Sequence, residues 1–438
     1  MHLPEYRSFR ALAPLLVVCL LPLSASAQNT GDGSIYSRFG IGELQSYSSP
    51  QAQALGGGGY GLRSLNYVNF ANPATLGDQV LTRAVAGLRF QNLRATAAGT
   101  GRSTLSEGNL GSVQFSFPIA SRRVGAGLAF EPFSRVSYRV QLAGRTQPDP
   151  AQSDSVDYRI DYEGGGGLQQ VSGGVGFQVT PSLAVGASGH ILFGMLEYGR
   201  RTTFPGTLLR PANIVTSTRL SGVTGSFGAS YTAASLLSRN DELTVGLSAR
   251  LPVSLDARRV RTLGESLERD TLGSVTYGSA TLPISAGLGI AYHPDTRWTL
   301  VLNGLYEPWT NFESDLDFSG SGTVDQEQLR DRFRMSGGVQ IQPGGNNLLA
   351  PYFSRVAYRL GAYFDRSYVT PVAGIDINTL AVTGGFSLPT MLSGTRLDIN
   401  FEVGTRGTTD HQLVKDVFYR ISVNLNVGER WFQKQRLR

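Results

Sequence analysis

The chain has 438 residues, of which 41% are hydrophobic and 16% charged, with a formal net charge of +6. Beyond Ala27 no stretch is apolar enough for a membrane-spanning helix, which excludes a helical membrane protein. Lysine occurs only at Lys415 and Lys434, and the arginines are scattered with no basic run interleaved by aromatics, so the positive charge does not mark a nucleic-acid surface.

At the start of the chain, Arg7 and Arg10 precede an apolar run over residues 11–23, followed by the small-residue pattern Ala25-Ser26-Ala27. This predicts a signal peptide over residues 1–27 and Gln28 as the mature N-terminus. A membrane anchor is the competing reading, but the run is too short. The only cysteine, Cys19, lies inside this segment, and Val18 before it is too bulky for lipoprotein processing. The mature chain is therefore expected to hold no disulfide and no thiolate ligand.

Residues 28–81 show no regular period. They contain Ser37-Arg-Phe-Gly-Ile-Gly42, the glycines Gly56, Gly57, Gly58, Gly59 and Gly61, and the turn Asn72-Pro73-Ala74. Gly56, Gly58 and Gly61 match a dinucleotide fingerprint by letter, yet no βαβ unit surrounds them. A segment of this kind before a run of strands is predicted to sit inside a barrel as a plug.

From Thr82 onward the chain alternates apolar and polar residues. In residues 396–403, Leu397, Ile399, Phe401 and Val403 fall on one face, and Arg396, Asp398, Asn400 and Glu402 on the other. A soluble sandwich gives the same alternation. Length favours the membrane, since a tilted strand needs about 9–11 residues to cross. Strands are expected near 82–95, 108–117, 123–142, 156–179, 183–200, 215–232, 242–260, 273–292, 298–313, 331–342, 355–367, 375–388, 395–406 and 415–427. Splitting a strand at 164–167 would alter this count. Tight turns at 119–122, 180–182, 293–296 and 389–394 alternate with longer polar loops at 144–155, 203–213, 263–272 and 314–330. The fold class is thus all-β: a transmembrane antiparallel barrel of about fourteen strands over residues 82–428, with a periplasmic tail at 429–438. Both mature termini are expected in the periplasm, and the barrel in the outer membrane of a Gram-negative cell. The 54 glycines and the 39 Phe and Tyr residues fit strand bends and interfacial girdles.

The third strand carries Glu131-Pro132-Phe133. Proline cannot donate a ladder hydrogen bond, so it interrupts pairing in a closed wall. A bulge that only adjusts curvature is the competing reading.

The order of signal peptide, glycine-rich Ala54-Leu-Gly-Gly-Gly-Gly-Tyr-Gly61, Asn72-Pro73-Ala74 and a barrel of about fourteen strands resembles the FadL/TodX-type outer-membrane transporters of long-chain fatty acids and hydrocarbons. Tyr36-Ser-Arg-Phe-Gly-Ile-Gly-Glu43 and Glu429-Arg-Trp-Phe432 look like the Bacteroidetes-type branch. The resemblance implies that the N-terminal segment is a hatch held by Asn72, Pro73 and Ala74. It also implies an inward kink at Pro132-Phe133, through which a greasy substrate leaves sideways into the membrane. An ordinary turn is the alternative for Asn72-Pro73, where Pro73 fixes its own φ and biases Asn72 away from helix.

Catalysis has little support. His411 follows Asp410 near Thr408, but adjacent residues on a loop rarely form a triad, and no Gly-x-Ser-x-Gly elbow occurs. Asp315, Asp317 and Asp325 form an acidic loop, more simply read as solvated than as a calcium site. No cofactor or metal is expected. Charges on the wet faces, among them Arg359, Asp365, Asp398, Glu402 and Arg420, should pair across strands. The expected partners are a hydrophobic small molecule, outer-membrane lipids and lipopolysaccharide, and the barrel-assembly machinery during biogenesis. Passage of hydrophobic molecules is the first functional reading. The second is a non-transporting barrel that acts as a scaffold or shuttle for secreted proteins.

Overall fold

The computed structural model describes residues 33–97, 101–146, 155–208, 210–264, 269–318, 328–372, 374–392 and 394–431. The expected signal peptide, the junction at Gln28 and most of the C-terminal tail lie outside them.

Fourteen antiparallel strands close into one barrel. They are β1 Thr82–Ala97, β2 Gly101–Ala120, β3 Val124–Pro132 resumed at Tyr138–Thr146, β4 Val156–Gln178, β5 Leu183–Thr203, β6 Ala212–Ala234 and β7 Glu242–Arg250 continued by Val253–Leu263. The circuit goes on through β8 Thr276–Leu282 with Ser285–His293, β9 Trp298–Glu307, β10 Arg332–Ile341, β11 Ala357–Arg366, β12 Asn378–Pro389, β13 Arg396–Arg406 and β14 Val414–Glu429. Closure is made by β1 against β14, from Thr82 opposite Glu429 to Ala97 opposite Val414. A closed circuit satisfies the backbone donors and acceptors that a bilayer cannot.

The alternation in the sequence becomes inside and outside. On β13, Phe401 and Val403 are 42% and 49% exposed on the outer face, whereas Asp398 and Asn400 are 0% and 5% exposed. β4, β5 and β6 have 21 to 23 residues each, while β9 to β11 have 10, so one side of the wall rises well above the other.

One strand boundary departs furthest from the sequence reading. β2 is longer than 108–117, because Gly101 to Gly108 pair with β1 although glycine and serine weaken their pattern. The connection 342–356 contains a short helix, Tyr352–Arg355. Residues 164–167 do not split β4: Gly166 and Gly167 take positive φ (96° and 144°) and form a kink within one continuous strand.

The first described residues of the N-terminal segment contact the wall at one end of the barrel. A Cβ on Gly33 would lie against the Ser137 carbonyl, and Ser34 hydrogen-bonds Asp416, near the end where β14 begins. That is opposite to the end where Thr82 meets Glu429. Wall side chains take up polar groups along the segment: Asp416 that of Ser34, Asn400 the Pro50 carbonyl, Asn303 the amides of Gly59 and Tyr60, and Asn426 the Asn66 carbonyl.

Candidate functional site

The segment rests on the wall backbone to backbone. A Cβ on Gly228 would lie 2.1 Å from Asn72 Oδ1, one on Gly186 2.4 Å from the Pro73 carbonyl carbon, and one on Gly361 2.4 Å from that of Leu55. These strand glycines make room for another stretch of chain; any side chain would collide with it.

Asn72, Pro73 and Ala74 sit in this seat, all fully buried or nearly so. Asn72 caps the short 3-10 helix Pro73–Asp78, its Oδ1 accepting from the Ala74 N–H at 3.1 Å. Its Nδ2 donates to the Tyr60 carbonyl (2.8 Å) and to the Ala229 carbonyl of β6 (3.0 Å). One side chain thus ties two parts of the segment to the wall.

Gly56, Gly57, Gly58 and Gly59 all have positive φ, between 74° and 92°. Four consecutive left-handed residues are accessible to glycine alone at little cost. The turn aims the amides of Gly59 and Tyr60 at Asn303 Oδ1 on β9, at 3.0 and 3.1 Å. A Cβ on Gly61 would lie 2.6 Å from the Gly289 carbonyl.

Ion pairs add to this seat. Glu43 meets Arg406 and, at 3.0 Å, Arg420, which also holds Glu402 at 2.9 Å. Burial alone would raise the Glu43 carboxyl, but Arg406 and Arg420 outweigh it and hold it well below the usual carboxylate range. Tyr67 donates to Asp398 (2.8 Å) and accepts from Arg359 (2.7 Å), and Arg359 pairs with Asp398 at 2.8 Å with both side chains at most 1% exposed. Arg332 bridges Asp365 (2.7 Å) and Glu307 (3.2 Å), and Arg334 reaches the Gly56 carbonyl at 3.1 Å. The expected pairing of lumen charges across strands is therefore met at Arg359, Asp365, Asp398, Glu402 and Arg420. The roles of Glu43 and Tyr67 were missed. Glu43 is the single acid among residues 33–77, which was the available signal.

β3 pairs normally up to Pro132. Val124 to Phe130 face β2, ending at Phe130 opposite Val113, and Val124 to Pro132 face β4. The chain then turns inward. Phe133 N–H donates to the Leu168 carbonyl (2.8 Å), its own carbonyl accepts from Gln45 N–H (2.9 Å), and Ser134–Arg135 pair with Glu43–Leu44 of the N-terminal segment. Gly167 permits the turn, since a Cβ there would be 2.3 Å from the Ser134 carbonyl oxygen. Tyr138–Thr146 rejoin β4 alone. Among the described residues, no ladder links residues 101–112 of β2 to β3. The ion pair of Arg135 with Glu107 joins the inward turn to this stretch of β2.

The described residues enclose cavities between the segment and the wall. One of about 80 Å³ is lined by the Glu43, Arg406, Arg420 and Glu402 group. Another, of about 140 Å³, lies between the segment and β3 to β9, lined by Glu131, Pro132, Phe133, His190, Arg250 and Glu307 among others. Toward the taller end, Phe39 and Ile41 pack with Leu192, Leu196, Trp309 and Tyr368 and fill the apolar part of the lumen. Outside this region, Asp315 accepts from Ser279 (2.7 and 2.8 Å) and Thr408 donates to Asp410 (2.8 Å), each a local loop contact; Asp325 lies outside the described residues.

A family model, BamG, matches residues 11–438. No curated protein sequence matches. Solved structures with this fold include the CymD monoaromatic hydrocarbon channel, with TM-score 0.55 and 14% identity over 90% of this chain and 99% of that one. The Ralstonia pickettii toluene transporter TbuX gives 0.55 and 15% over 88% and 99%. The Pseudomonas putida toluene transporter TodX gives 0.54 and 15% over 89% and 100%.

Proposed function

The chain belongs to the BamG family, and on that footing we propose that it is an outer-membrane barrel working as a scaffold at the barrel-assembly machinery, to which the family designation points. The observation that carries this reading is the lumen itself. The N-terminal segment is seated on strand glycines and joined to the wall by the ion pairs of Glu43 with Arg406 and Arg420 and by the Tyr67 hydroxyl between Asp398 and Arg359. Removing one partner of a buried pair costs about 3–5 kcal/mol, so the seat resists displacement. A plugged barrel of this kind offers its walls and its tall rim to other proteins while its interior stays closed.

A second reading is favoured by one feature: residues 101–112 of β2 pair with β1 but have no ladder to β3, beside the inward turn at Pro132. In this reading, small hydrophobic molecules leave sideways there, in keeping with the fold shared with hydrocarbon channels. One experiment separates the two. Depleting the protein should lower the folded, heat-modifiable fraction of other outer-membrane barrels and leave uptake of labelled toluene unchanged. Impaired uptake with normal barrel assembly would favour sideways passage and overturn the scaffold reading.

A further inference from the structure

Two residues that line the larger cavity each have an oxygen without a hydrogen-bond partner: Glu131 Oε2 and Gln170 Oε1. Both residues are more than nine-tenths buried, at 7% and 6% exposure. Their remaining polar atoms are engaged. Gln170 Nε2 donates to Glu131 Oε1 (3.2 Å) and to Ser172 Oγ (2.9 Å). That hydroxyl contacts His190 Nδ1 at 2.8 Å, and His190 Nε2 contacts Ser226 Oγ at 2.8 Å. This chain of contacts fixes the Gln170 amide and leaves its oxygen unused. Buried acceptors without a donor are costly, and a ligand that brings one recovers the loss.

The rest of the lining narrows the choice. Leu44, Phe70, Phe133 and Leu305 offer apolar surface. Arg250 and Arg332 both rely on Glu307, at 3.3 and 3.2 Å. An ammonium group would meet these two guanidinium groups, and a carboxylate would meet that of Glu307. A neutral hydroxyl avoids both conflicts and still donates a hydrogen bond. The size is also suitable, because an apolar cavity of about 150 Å³ takes up benzene.

We propose that this cavity binds a small neutral alcohol or phenol, with its hydroxyl between Glu131 and Gln170 and its apolar body against Phe70, Phe133 and Leu305. Occupancy of this kind does not depend on whether the barrel passes molecules or supports partners. The test is equilibrium dialysis of the folded mature protein in nanodiscs against radiolabelled p-cresol, toluene and benzoate, corrected with empty nanodiscs. p-Cresol should bind roughly tenfold tighter than toluene, as a single added hydrogen bond permits, and benzoate should not bind. In Glu131→Leu the preference should fall away or turn toward toluene, and because it is a ratio within one protein, a partly unfolded sample does not alter it. Equal or tighter binding of toluene by the unaltered protein, binding of benzoate, binding of none of the three, or an unchanged preference in Glu131→Leu would each overturn the proposal.

Discussion

Asn72 makes three hydrogen bonds from one amide side chain, and each ties a different part of the molecule: the helix it caps, the Tyr60 turn and β6. Asn72→Ala should destabilise the seat by about 2 kcal/mol, from a lost cap and two orphaned carbonyls. Limited proteolysis, with faster cleavage within residues 50–80 and an intact barrel fragment, checks this. Arg359→Ala leaves Asp398 and Tyr67 buried without their cation, and a loss of about 3–5 kcal/mol is expected in thermal unfolding. Glu43 supplies a pH test. Its carboxyl is depressed in the folded protein, so its contribution is complete above the ordinary glutamate value of about 4.3 and is lost only as pH falls through the lower folded value. The segment should therefore stay protected from protease at pH 4, and Glu43→Gln should remove that protection without changing it further with pH. The wet-face charges were legible in the sequence because alternation assigns them to the lumen. Tyr67 was not, since its partners Arg359 and Asp398 lie about three hundred residues away and no local pattern marks a tyrosine in an irregular segment.

Among the elements, β3 and the N-terminal segment differ from the regular wall. The strand count and most turns followed from period two alone, because one face of every strand must meet lipid. The inward turn was readable from Pro132, yet its other causes were not. Gly166 and Gly167 belong to β4, and Glu43–Leu44 to the segment, so the turn is fixed from three directions. Pro132→Val alone should therefore leave the turn in place, contrary to what proline chemistry in isolation suggests. The strand glycines have a similar lesson. Gly125 looks like a flexible position in β3, but a Cβ there would lie 2.0 Å from the Leu76 carbonyl oxygen, so alanine would push on the segment and would not straighten the strand. Gly186→Ala should loosen the seat in the same way, since its Cβ would lie 2.4 Å from Pro73. Greater protease sensitivity of the segment, with unchanged barrel migration on unheated gels, is the expected result.

At the level of the whole molecule, contacts of the N-terminal segment with the wall extend from Ser34 on Asp416, near the start of β14, to Asn66 on Asn426, near its other end. A short epitope placed after Ala27 should be accessible to antibody on intact cells. What the sequence could not convey is how firmly the interior is closed, because closure comes from contacts between residues far apart in the chain. That firmness is the central claim, and single-channel recording in planar bilayers tests it most directly. The intact mature protein should insert without conductance steps, and a variant lacking residues 33–77 should open large, steady ones, since wall pairing does not depend on the segment. Steady open-pore conductance from the intact protein would contradict the account.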